Sequence, residues 1–307
     1  MKWEKQDLPN IPIGETIEAG DVLIRKFQKD GVTMVSKESE EAAREWLAIK
    51  ALSLDTRDFE HFGIPKYSFE QLSKNRGVLT MPFYAYNLGT KQVSALTPLQ
   101  LPHNFEQYIP RLVSACLELM SISRNETDLP MDEVYRNKTY AQRAQDWSDY
   151  IARILRDRHD IVDMIRTKLI TASNETNELE RYALSHGNFW QDHLALDVND
   201  TIVIFDFGTI SFQRPKYYDV LFFIHRLYTA MESPSCAIKM WEELLRQLPA
   251  GSIAELKHYA RCIFAQRAIG GIFDYCVEFD TNEAGYSRLN LELAVEFSHE
   301  YDTIFSL

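Results

Sequence analysis

In a second half otherwise patterned for helices, one stretch breaks the pattern: SHGNFWQDHLALDVNDTIVIFDFGTI, from Ser185 to Ile210. LALD and TIVIF are short β-like runs separated by the turn-forming VND. His186, Asn188, Asp192 and His193 gather in the loop before the first run. Asp206 leaves the second run, where Gly208 is expected to permit a sharp turn. These polar groups are expected to converge there. A carboxylate at the end of a buried strand suits Mg²⁺, which takes one or two carboxylates and completes its shell with phosphate and water.

The flanking chain has two characters. Asp21 to Phe27 and Gly31 to Lys37 are rich in β-branched residues, with QKDG between them as a hairpin signal. A helix is expected from Glu40 through Leu52, with Ser39 as its N-cap. FGIPKYSFEQ and NRGVLTMPFYAY read as two further strands. From about Leu88 long helical patterns take over, at roughly Asn104 to Ser123, Lys138 to Ala172, Pro215 to Glu232, Pro234 to Leu248, Ile253 to Glu278 and Leu289 to Ser306. The expected fold class is α+β with two lobes: a small β-rich lobe over residues 1–87 and a large, mostly helical lobe over 88–307. The hinge is expected within Asn87 to Pro102.

Composition narrows the partners. A net charge of −12 and a pI near 5.2 disfavour nucleic acid, whose affinity comes mainly from lysine and arginine on phosphate. No apolar run approaches the roughly 20 residues of a membrane span, and MKWEKQDLPNIPIGE lacks the basic start and apolar run of a signal peptide; a cytoplasmic protein is expected. Cys116, Cys236, Cys262 and Cys276 have no metal-ligand spacing and read as buried or half-buried thiols.

The loop pair resembles the catalytic and metal loops of the protein-kinase-like superfamily, especially its aminoglycoside phosphotransferase and choline kinase branch, whose loop reads His-Gly-Asp-x-x-x-x-Asn. FDFG is similar to that group's metal-binding aspartate motif. His186, Gly187 and Asp206 match, and Asn188 stands where the family has its catalytic aspartate. His193 stands at the second metal-binding asparagine, as in the similar loop of bacterial lipopolysaccharide heptose kinases. Lys37 resembles the lysine that contacts nucleotide phosphates, and Glu45 its ion-pair partner. VLTMPFYAY resembles the strand entering the hinge, where Pro82, Phe83 and Tyr84 would meet adenine through backbone groups. Asp219 resembles the aspartate that braces the catalytic loop from below.

The resemblance implies a two-lobed kinase-like fold, ATP or GTP with Mg²⁺ as cofactors, Asp206 and His193 as metal ligands, and phosphoryl transfer to a hydroxyl of a small molecule. Its catalytic set would be Asn188, Asp206 and a bracing His186. Asn188 can orient a hydroxyl but cannot take its proton, so a general-base contribution of roughly 10²- to 10⁴-fold is lost. Two readings follow: a phosphotransferase that works by positioning and metal, or a pseudokinase that binds a protein partner. Asp192 is either a substitute carboxylate or a solvated charge, and His193 either a ligand or purely structural. Trp190 is expected to anchor the loop in the core. Glu292, Glu296 and Glu300 form one helix face, read as solvated surface or as a grip on a cationic substrate.

Overall fold

The computed structural model describes residues 12–19, 21–83, 105–123, 129–132, 140–176, 182–197, 199–281 and 289–307. The first lobe is an antiparallel sheet of β1 (Thr16–Ala19), β2 (Val22–Lys29), β3 (Val32–Ser39), β4 (Ser68–Gln71) and β5 (Gly77–Pro82), in the order β1-β2-β3-β5-β4. β1 was not foreseen, and the strand expected over FGIPKYSFEQ is confined to β4. The β2–β3 hairpin closes through two residues, Asp30 (φ 50°) and Gly31 (φ 79°). Two successive left-handed residues follow the right-handed twist of the paired strands, which suits Asp-Gly.

β3 ends at Ser39, whose hydroxyl accepts the Ala42 N–H at 2.9 Å and so caps α1 (Glu40–Ala51). With no loop between strand and helix, Lys37 at the end of β3 and Glu45 on the buried face of α1 are placed side by side. The side of α1 turned inward carries Ala42, Ala43, Glu45, Ala48 and Ile49. Beyond α1, Gly63 docks on the later hairpin: its N–H donates to the Ile202 carbonyl at 2.7 Å, and the Ile204 N–H donates to its carbonyl at 3.0 Å.

The second lobe contains α2 (Ile109–Met120), α3 (Tyr140–Ile154), α4 (His159–Thr176), α5 (Tyr218–Thr229), α6 (Pro234–Gln247), α7 (Ile253–Thr281) and α8 (Leu291–Ile304). The single helix expected from Lys138 to Ala172 is two helices, because the polar run Arg156-Asp157-Arg158 supplies no apolar face and forms a turn. Every residue of α5 is buried, so this helix is the axis of the lobe. Against it lie two ribbons: β6 (Tyr182–Ser185) with β9 (Ser211–Pro215), and β7 (Leu194–Leu196) with β8 (Ile202–Ile204). The loop 186–193 joins β6 to β7 and the loop 205–210 joins β8 to β9, so both emerge between the same two ribbons.

One continuous core runs from Ala48, Ile49 and Leu52 of α1 through Phe62, α2 and the β7–β8 hairpin to α5 and α7, while Ile17, Ile24 and Val35 form a small separate core under the sheet. The four cysteines are buried and free. The expected hinge, and with it the division at 87/88, lies outside the described residues. Among the described residues, no helix is long and apolar enough to cross a membrane. Replacing Ser39 by Ala should cost about 1 kcal/mol, while Asp at this position should retain the cap; urea unfolding of the two variants checks this.

Candidate active site

The loop after β6 is fastened from beneath by one carboxylate. Asp219, in the first turn of α5, accepts the His186 N–H at 2.7 Å through Oδ2, and the Gly187 N–H and the Ser185 hydroxyl, each at 2.8 Å, through Oδ1. Burial raises its pKa, and these three donors counter that by favouring the charged form. His186 is buried, donates from Nε2 to the Phe205 carbonyl at 2.9 Å, and presents Nδ1 to the Asn188 N–H at 3.4 Å. Burial drives its pKa down to about 3. The ring is locked between the two loops.

Gly187 has φ 85°, and a Cβ there would fall inside the guanidinium of Arg214, which donates to the Thr209 carbonyl at 2.8 Å. Thr209 in turn donates to the His186 carbonyl at 2.8 Å, so the floor of the site is a closed hydrogen-bonded circuit. Trp190 is buried in the loop beneath Arg226, whose guanidinium lies 4.1 Å from the ring centroid. That placement makes it an anchor.

The second loop carries the charge. Lys37 Nζ lies 2.9 Å from Asp206 Oδ1, 3.2 Å from Glu41 Oε2 and 3.5 Å from Glu45 Oε2. Burial opposes the lysine charge, but Asp206, then Glu45 and Glu41, outweigh it and raise the pKa of Lys37. Glu45 is raised too, chiefly by burial, although Lys37 and a 2.9 Å hydrogen bond from the Phe207 N–H pull the other way. The two directions are compatible: one cation is shared by three carboxylates, so it is held firmly while the most buried carboxylate is incompletely compensated.

The turn expected at Gly208 is made instead by Asp206, which adopts φ 65° and ψ 59°. Gly208 instead leaves room for Glu41: a Cβ there would lie 2.6 Å from Glu41 Oε1, so that side chain would have to shift. His193 faces the other side of the same carboxylate, with Nε2 3.2 Å from Asp206 Oδ2 and Nδ1 2.7 Å from the Asn188 carbonyl. Asn188 is half-buried beside it, and among the described residues its side-chain amide makes no hydrogen bond.

Lys37, Glu45, His186, Asn188, His193 and Asp206 are thus brought together. Asp192 is half-buried in the same loop. Pro82 ends β5 opposite Met34, and the Phe83 N–H is already engaged by the Thr33 carbonyl at 2.8 Å. Tyr84 lies outside the described residues. Glu292, Glu296 and Glu300 are exposed, and Glu296 accepts from Tyr228 at 2.6 Å. Glu41 and Arg214 were not foreseen. The signal for Glu41 was its place four residues after Lys37, across a strand-to-helix junction without a loop; nothing local marked Arg214.

No protein-family profile matches the sequence, and no curated protein matches it significantly. Solved structures do. Spectinomycin phosphotransferase APH(9)-Ia, in complex with ADP and spectinomycin, superposes with a TM-score of 0.59 at 14% identity over 94% of this chain and 89% of the other. The chain has the aminoglycoside phosphotransferase fold. The GDP complex of aminoglycoside 2'-phosphotransferase-IIIa gives a TM-score of 0.58 at 14% identity over 96% of both chains, and APH(4)-Ia gives 0.52 at 13% over 93% and 92%. These structures share the chain's two-lobed architecture. Identity this low carries the fold and leaves the chemistry of an aminoglycoside phosphotransferase to be argued from this chain's own residues.

Two tests follow from the loop scaffold. Gly187→Ala must displace Arg214 and force a side chain into a left-handed position, at a cost of about 1–3 kcal/mol read as a lowered Tm. His186 is depressed in the folded state relative to the unfolded value near 6.5. Its contribution is therefore complete above pH 6.5 and declines as pH falls toward about 3, where the unfolded chain binds the extra proton. Buried His225 is shifted the same way. Unfolding free energy measured across this window should fall less steeply in His186→Asn than in the wild type.

Proposed function

We propose that this protein is a metal- and nucleotide-dependent phosphotransferase that moves the γ-phosphoryl group of ATP or GTP to a hydroxyl of a small molecule. The contact that carries the reading is Lys37 Nζ to Asp206 Oδ1 at 2.9 Å, which joins the sheet lobe to the metal loop across the cleft where a nucleotide would lie. Glu45 steadies that lysine from α1. Lys37 would neutralise nucleotide phosphates, and Pro82, Phe83 and Tyr84 would border the base.

Asp206 and His193 would hold the divalent ion, conventionally Mg²⁺. The site's own geometry fits an ion, because Nε2 and Oδ2 converge from adjoining loops beside a lysine that a phosphate can engage. When bound, the ion neutralises charge on the β- and γ-phosphates. His186 and Asp219 keep the loop at the height from which Asn188 can hydrogen-bond the acceptor hydroxyl. Transfer forms a bond from the acceptor oxygen to the γ-phosphorus and breaks the bond from that phosphorus to the bridging oxygen. The hydroxyl proton passes to water or to the transferred phosphoryl oxygens, since an amide cannot accept it. Positioning and electrostatics then supply the rate acceleration.

Asn188 also supports a second reading, in which the site binds nucleotide as a switch and the protein acts through a protein partner. Thermal-shift titration separates both readings from an empty scaffold: MgATP or MgGTP should raise Tm, and Asp206→Ala should abolish the rise. Phosphate release or transfer in a panel of hydroxyl compounds should be slow in the wild type. Asn188→Asp should raise it by about 10²- to 10⁴-fold if a missing base is what limits the rate. An unchanged rate in that variant, with nucleotide still bound, favours the binding module.

A further inference from the structure

The pair at the metal position differs from an all-oxygen site in one respect that the geometry makes specific. His193 Nδ1 lies 2.7 Å from the Asn188 carbonyl, an atom that can only accept, so Nδ1 carries a proton. Nε2 is thereby the ring atom turned toward Asp206 Oδ2, at 3.2 Å. An imidazole whose far N–H is donated to a backbone carbonyl is the usual arrangement around a metal-bound histidine, where that bond fixes the tautomer and aims the ligand nitrogen.

The ring is prevented from turning away. Trp190 and Phe205 meet it edge-on at 6.3 Å between centroids, and His186 lies 5.8 Å off. Both ligands are also tied to one hairpin. The Phe205 N–H donates to the His193 carbonyl at 3.2 Å, and Leu194 pairs with Ile204. His193 and Asp206 retain 14% and 22% side-chain exposure, enough to be reached from the cleft. Among the described residues no group of three or more His, Cys, Asp or Glu is placed to hold an ion. An ion here would complete its shell with phosphate and water oxygens.

We infer that His193 makes this site selective for a divalent cation that accepts nitrogen, of the Mn²⁺ class, over Mg²⁺. The inference rests on the reading of His193 and Asp206 as the metal pair. Its physical basis is that Mg²⁺ demands a hard oxygen shell, whereas imidazole nitrogen suits the first-row transition ions, with affinity rising from Mn²⁺ onward. An oxygen-only site already favours Mn²⁺ modestly, so the informative quantity is how the Mn²⁺ to Mg²⁺ affinity ratio changes when the nitrogen is removed.

The test is a pair of binding measurements on the intact protein, each made with the cation alone and with ADP. In the first, Mn²⁺ and Mg²⁺ are titrated into wild type and His193→Asn, which restores an amide oxygen. The Mn²⁺ to Mg²⁺ ratio of Kd values should shift by about tenfold or more toward Mg²⁺ in the variant. In the second, pulsed electron paramagnetic resonance of bound Mn²⁺ in the wild type should show modulation from a directly coordinated ¹⁴N that disappears in Asp206→Ala as the ion is lost. Nitrogen modulation without any nucleotide effect would uphold the inference and sink the phosphotransferase reading. Nucleotide binding without nitrogen modulation, or an unchanged affinity ratio in a folded His193→Asn, would overturn the inference and leave that reading standing. No ¹⁴N signal under either condition overturns it regardless of nucleotide.

Discussion

One ammonium group faces three carboxylates at the junction of the lobes. Lys37 comes from β3, Glu41 and Glu45 from α1, and Asp206 from a loop of the other lobe. Removing water from four charges is costly unless each finds a partner, and here they do so only when both lobes are in place. The arrangement leaves excess negative charge around the single cation. It also holds Asp206 in a left-handed conformation whose cost, about 1–3 kcal/mol, must be offset by these contacts. The strain is located at the residue on which the proposed chemistry depends.

Beneath this cluster lies a hydrogen-bonded floor. Asp219 collects three donors, His186 is neutral and bridges two loops, and Thr209 and Arg214 close the circuit around Gly187. Such a floor lets the upper loop present Asn188 and His193 at fixed positions. It also explains why the departures at these two positions are compatible with an undisturbed fold: neither side chain takes part in the floor.

Much of this was legible in local pattern. The Asp-Gly hairpin, the Ser39 cap and the LALD/TIVIF hairpin each follow from short-range rules, and each is present. The Lys37 and Glu45 pair came from the resemblance instead, and it too is present. β6 and β9 were not legible, because short strands whose partners lie some 30 residues apart show neither alternation nor a turn signal between them. The break between α3 and α4 was also missed, since a helical period on both sides concealed a polar turn of three residues. The sharp turn expected at Gly208 falls on Asp206.

The sequence by itself determined the order of a β-rich and a helical half, by periodicity and turn signals, and its resemblance to a known loop pair singled out Lys37, Glu45, Asn188, His193 and Asp206. Only the tertiary structure decided what those residues do to one another. That Glu41 joins the lysine, that Gly208 yields its space to a carboxylate, that Arg214 fills the room under Gly187, and that His193 turns a nitrogen toward Asp206 all depend on elements distant in the chain being packed to within hydrogen-bonding distance. Local pattern places a side chain on an element; the packing of one element against another selects its partner.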